Sequence, residues 1–226
     1  MSIKVNILVN GKPIKKLNDG FRTWVEAHNN SKYSIEIIND SFKKRLAVVS
    51  VDGINVINGE LADINSKVGY IVNANSKIII DGWRISQEIV KEFIFTFNKN
   101  NSFSAKLGNG KENLGVIGIA IFDEQPVIDW GFLYPKIAYN SYNSGTSIAE
   151  PICCVTNNVN FQAGTAKGEA LESKSYSSFF NIQDSVSEII SIFYDSKENL
   201  IKRGVIEKRK NELPKPFLNT GFCKDI

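Results

Sequence analysis

Histidine is almost missing from this chain: one residue, His28, among 226. Every Ser-His-Asp or Cys-His scheme needs an imidazole beside a nucleophile and an orienting acid, so His28 is the sole candidate for all of them. It sits in the polar run Ala27-His28-Asn29-Asn30-Ser31, where an exposed loop histidine is expected. A zinc or iron site built on several histidines is excluded by count. Cysteine is scarce too, with three residues. Cys153 and Cys154 are neighbours, and neighbouring side chains of an extended chain point apart, so they do not chelate as a Cys-x-x-Cys pair does. Cys223 stands alone near the end. An odd number without framework spacing predicts reduced thiols, in a cytoplasm or in a particle assembled there.

Long apolar runs are absent as well. No stretch reaches the roughly 18 residues of a membrane span, and the opening Met1-Ser2-Ile3-Lys4-Val5-Asn6 alternates instead of forming the apolar core of a secretion signal. Neither sign of charge dominates: 27 Lys and Arg against 24 Asp and Glu leave a net +3. That balance does not call for nucleic acid. The one dense basic run, residues 202–210, reads as a solvated helix face and tail. Gly108-Asn109-Gly110 and the stretch 164–168 lack the Gly-x-x-x-x-Gly-Lys-Ser/Thr pattern, so neither is a phosphate loop.

What is present is strand after strand. Residues 45–53, 69–72, 77–84, 92–97 and 114–122 are rich in β-branched and aromatic residues, and Gly, Asn and Asp fill the gaps, as in a meander of antiparallel strands. Ile3–Val9 runs into Asn10-Gly11, a type I′ hairpin signal, with 12–17 as its return strand. Residues 21–27 form a third strand. In 33–38 alternation places Tyr33, Ile35 and Ile37 on one face. Arg45–Val51 reads as central, with a turn or bulge at Asp52-Gly53. Residues 68–72 and 77–80 read as a further pair joined around 73–76. A loop over 86–92 enters a strand carrying Phe93, Phe95 and Phe97, and 98–112 reads as a long loop. The small residues Gly115, Gly118 and Ala120 predict close approach by another segment. Residues 164–168 read as a glycine-bounded turn, 172–181 and 186–193 as strands, and 196–203 as a short helix capped by Ser196 and ended by Gly204.

These elements predict an all-β fold: an antiparallel, jelly-roll-like β-sandwich spanning 1–206, with a short C-terminal helix and an extended arm over 207–226. Within it, 123–163 reads as an irregular aromatic insertion. Protein interfaces are enriched in Tyr and Trp, so Trp130, Phe132, Tyr134, Tyr139 and Tyr142 of the insertion, and Pro214, Pro216, Phe217 and Phe222 of the arm, are the candidate partner-binding residues. The carboxylates Asp52, Asp81, Glu88, Glu92, Asp123, Glu124 and Asp129 provide material for a glycosidase, which needs two across a cleft. Asp123-Glu124 ahead of Trp130 and the tyrosines also suits a sugar-binding groove. Trp83 beside Arg84 reads as a cation–π pair or as the neighbour of an Asp81 salt bridge. No catalytic residue, metal or cofactor is assigned. The expected partners are other protein subunits, with a glycan as the second candidate. A membrane is not expected. Nucleic acid is not expected either, since Phe93, Phe95 and Phe97 lack interleaved basic residues.

The ordered motifs Val49-Ser50-Val51-Asp52-Gly53, Gly69-Tyr70, Gly82-Trp83-Arg84, Val116-Ile117-Gly118 with Phe122, Gly164-Thr165 with Gly168, and Tyr194-Asp195-Ser196 with Leu200 and Gly204-Val205 resemble a family of uncharacterised proteins from bacteria and their phages. The likeness covers about residues 20–206 and leaves 129–161 unmatched. It implies no activity and no catalytic residue. With the strand pattern, it leads to the expectation of a non-enzymatic structural protein, a virion component assembled in the bacterial cytoplasm.

Overall fold

A computed structural model describes residues 3–108, 113–125 and 163–207. Two seven-stranded sheets pack face to face. The first holds β1 (Ile3–Val9), β2 (Lys12–Pro13), β5 (Lys32–Asn39), β9 (Ser76–Ile80), β10 (Gly82–Arg84), β11 (Ile89–Thr96) and β13 (Gly164–Glu172). The second holds β3 (Lys16–Asn18), β4 (Thr23–Glu26), β6 (Arg45–Val51), β7 (Ile54–Asn55), β8 (Tyr70–Val72), β12 (Val116–Glu124) and β14 (Ile182–Asp195). The all-β, two-sheet expectation holds. One pairing departs from the antiparallel pattern: β4 lies parallel to β14, Thr23 opposite Ile192 and Glu26 opposite Asp195. No helix among the described residues is long and apolar enough to cross a membrane.

Alternation sets the faces. Tyr33, Ile35 and Ile37 of β5 turn inward together with Val5 and Ile7 of β1, as expected, and meet Ala47, Val49 and Val51 of β6 and Ile117, Ile119 and Ile121 of β12. Each fully buried side chain of this size contributes about 1.5–3 kcal/mol. The adjacent strands β6 and β12 of the second sheet carry apolar residues on both faces. Their outward residues Leu46, Val48, Ala120 and Phe122 form a second buried cluster with Ile71, Phe180, Ile182 and Val186.

The turns obey local chemistry. Asn10 (φ 51°) and Gly11 (φ 71°) supply the two positive angles of the hairpin between β1 and β2. The return strand expected over 12–17 is divided. After Ile14 N–H donates to Ile7 O (2.9 Å) the chain leaves for the second sheet and resumes as β3. Likewise β8 and β9 are not partners. β8 pairs with β6 and β9 with β5, so residues 73–75 cross between the sheets. Asn39 holds that crossing, its Nδ2 donating to the carbonyls of Val72 (3.0 Å), Asn73 (3.0 Å) and Lys43 (2.8 Å).

Further corrections fall in the second half. Residues 164–168 are not a turn but the opening of β13, paired with β11. Their glycines mark close packing: a Cβ on Gly164 would lie 2.9 Å from Ser102 Cβ, and one on Gly168 would lie 2.7 Å from Ile94 Cδ1. The strand expected over 172–181 ends at Glu172. Residues 173–181 form an irregular strap, and β14 starts at Ile182 and runs to Asp195. The loop expected over 86–92 is shorter, because β11 already begins at Ile89. The loop expected over 98–112 carries a 3₁₀ turn at Lys99–Asn101 and a one-turn helix α1 (Phe103–Lys106) capped by Ser102. The terminal helix α2 (Lys197–Lys202) forms where expected: Ser196 Oγ accepts from Asn199 N–H at 3.3 Å, and Gly204 follows at φ 76°.

Candidate functional site

Two features stand out among the described residues: a polar network sealed inside one end of the sandwich, and an open aromatic groove at the other.

The network starts at Asp52, in the turn from β6 to β7, where the backbone takes φ 51° and the side chain is 1% exposed. Its Oδ1 accepts from Gly115 N–H (2.8 Å) and from Tyr194 Oη (2.5 Å), and its Oδ2 accepts from Thr165 N–H (2.6 Å). Tyr194 Oη lies 2.7 Å from Thr165 Oγ1, which lies 2.8 Å from Tyr33 Oη. One carboxyl thus ties the β6–β7 turn to the entry of β12, to β13, to β14 and, through Thr165, to β5. Burial pushes its pKa up to about 7, against the pull of Tyr194 and the three backbone N–H groups that donate to Asp52 or lie beside it. The same burial, with Asp52 nearby, drives both tyrosines well above their usual range. Three of the sequence motifs, those around Asp52, Gly164-Thr165 and Tyr194, therefore meet at one point.

The groove, of about 950 Å³, lies between the β8 edge of the second sheet and the strap. Arg84 builds it. The paired alternatives for Trp83 and Arg84 are both replaced: successive strand residues face opposite ways, so Trp83 is buried against Phe93 and Phe103 while Arg84 turns outward. Asp81 accepts instead from Ser34 Oγ (2.7 Å). The Arg84 guanidinium lies 5.8 Å from the Tyr70 ring centroid and donates to Tyr70 Oη (3.2 Å) and to Ser173 O (2.8 Å). Ser173 N–H to Glu88 O (2.7 Å), Ser175 N–H to Gln87 O (2.7 Å) and Gln125 N–H to Asn181 O (2.7 Å) pin both ends of the strap. On it Tyr176 is 89% and Phe179 107% exposed, while Phe180 packs inward.

His28 is exposed, as expected, with Glu26 Oε1 3.8 Å from its Nε2, at a smaller cleft formed by Ile14, Leu17, Lys197 and Ile201. Asp123 pairs with Arg45, and Glu92 with Lys32 at 2.7 Å. Glu124 lines the aromatic groove, and Glu88 lends its carbonyl to the strap. Trp130, Phe132, Tyr134, Tyr139, Tyr142, Pro214, Pro216, Phe217 and Phe222 lie outside the described residues, as do Asp129 and the three cysteines.

Comparison with protein-family models, curated proteins and solved structures returned no match.

Sequence reading missed Tyr176 and Phe179 by taking 172–181 as one alternating strand. The paired Phe179-Phe180, which breaks a strict period of two, is the signal against a strand.

Proposed function

We propose that this chain is a non-enzymatic structural protein that binds neighbouring protein subunits, in its sharpest form an accessory or decoration component of a phage capsid, built on a jelly-roll-like sandwich. The observation that carries the reading is the strap. A segment held at both ends by backbone hydrogen bonds and by Arg84 presents two aromatic side chains to solvent. Exposed Tyr and Phe on a pinned segment lose little conformational entropy when covered, which suits an adhesive contact. The resemblance to bacterial and phage proteins supports the virion setting. Trp130, Phe132, Tyr134, Tyr139 and Tyr142 and the arm residues Pro214, Pro216, Phe217 and Phe222 would add contacts, and repetition on a particle makes weak single contacts sufficient.

A second reading is a carbohydrate-binding module. Tyr70, Tyr176 and Phe179, with Lys44, Arg84 and Gln87 around them, combine aromatic faces with hydrogen-bonding groups in one open groove. One pair of measurements separates the readings. Co-sedimentation of the purified chain with capsids of its phage, weakened at least tenfold in Tyr176→Ala/Phe179→Ala, is expected for the first. Glycan-array binding lost in the same variant, with no co-sedimentation, overturns it in favour of the second.

A further inference from the structure

The buried carboxyl of Asp52 takes no part in the adhesive reading. Its surroundings are unusual in one respect: among the described residues, the elements that bond to it offer hydrogen bonds and no charge. β14 presents Tyr194, β13 presents Thr165, β5 presents Tyr33 through Thr165, and the chain entering β12 presents the Gly115 N–H. Asn113 fills the space beside Gly53, and Ser102 closes against Gly164. Among the described residues no Lys, Arg, His or second carboxylate bonds to or pairs with Asp52. A buried anion without a cation is costly, and uptake of a proton removes that cost.

The donors divide into two kinds. The Gly115 and Thr165 N–H groups have one direction only. The hydroxyls of Tyr194, Thr165 and Tyr33 can turn. When Asp52 is ionised, Tyr33 donates to Thr165, Thr165 to Tyr194 and Tyr194 to Oδ1. When Oδ1 carries a proton, it donates to Tyr194, and the chain runs the other way through Thr165 to Tyr33. Oδ2 keeps the Thr165 N–H in both states, so the proton has a single place, between Oδ1 and Tyr194 Oη.

We propose that Asp52 is a proton-operated latch: one proton taken up at Oδ1 reverses the Tyr194–Thr165–Tyr33 hydroxyl chain and removes the uncompensated charge from the end of the sandwich where β5, β12, β13 and β14 meet. The latch acts at the opening of β13, at Gly164 and Thr165.

The sign follows from linkage. The folded state holds this proton up to a pH of about 7, whereas an unfolded Asp releases it near its ordinary value of 3.8. Stability from the latch is therefore fully present at the acidic end, falls as pH rises through that window, and is level above it. The test is a carboxyl-carbon NMR titration of the full chain, with thermal unfolding at pH 5.5 and pH 8. The expected result is an Asp52 midpoint near neutrality and a melting temperature lower by roughly 4–8 °C at the higher pH. Tyr194→Phe removes a donor to the anion and should move the midpoint upward. Tyr33→Phe, which only shortens the far end of the chain, should move it less. Asp52→Asn, where it folds, should melt at nearly the same temperature at both pH values. An Asp52 midpoint in the ordinary carboxylate range, or one unmoved by Tyr194→Phe, overturns the latch.

Discussion

Gly82 shows how much one residue decides here. β9 runs along β5 and β10 runs along β11, and the chain changes partner at Asp81-Gly82. A Cβ at position 82 would lie 2.0 Å from the carbonyl oxygen of Lys91, which is backbone and cannot yield. Gly82→Ala is therefore expected to cost about 1–3 kcal/mol, read as a lower denaturant midpoint with an unchanged slope. Gly69 is in a similar position, with Ala47 O 2.5 Å from its virtual Cβ. Both glycines belong to motifs visible in the sequence, but their reason is close backbone contact with a paired strand, at Lys91 for Gly82 and at Ala47 for Gly69.

At the scale of elements, the strap over 173–181 and the helix α2 make opposite demands. The strap has no ladder of its own and depends on Arg84, Gln87 and Glu88 of the neighbouring hairpin. Arg84→Met keeps the aliphatic stem and removes the donors. It is expected to make bonds around Tyr176 cleavable in limited proteolysis while global stability falls by no more than about 1–3 kcal/mol. The helix α2 is short and relies on its first turn. Ser196 Oγ caps Asn199 N–H, and the fully buried Asp195 accepts from Asn199 Nδ2 (2.9 Å) and Arg203 Nη2 (3.3 Å). Ser196→Ala should cost about 1 kcal/mol, measurable by chemical denaturation. The helix was legible because a cap signal is local. The strap was not, because nothing in Lys174-Ser175-Tyr176-Ser177 states that its partner is a hairpin some 90 residues earlier in the chain.

At the scale of the whole molecule, the second sheet closes only with its last strand. β14 lies between β4 and β12, pairing in parallel with one and antiparallel with the other. A chain ending at residue 181 leaves both neighbours with an open edge and removes Ile192 and Tyr194 from the interior. Such a chain is expected to lose cooperative thermal unfolding, followed by far-ultraviolet circular dichroism, whereas the full chain unfolds in one transition. The long separation between β4 and β14 also explains why the parallel pair escaped sequence reading. A strand's side-chain period reports which residues are buried, not which strand lies beside it.

The sequence by itself determined the class of fold, most strand positions, the Asn10-Gly11 hairpin, the inward face of β5 and the Ser196-capped helix. All of these rest on interactions within a few residues: alternation with a period of two, positive φ at turns, and hydroxyl caps. Only the tertiary structure decided which sheet each strand joins, why β2 and β3 separate, which aromatics of 173–181 face solvent, and that Asp52, Thr165 and Tyr194 share one buried network. Those outcomes depend on contacts between segments tens to more than a hundred residues apart, where the free energy of pairing and burial belongs to both partners and is written in neither alone.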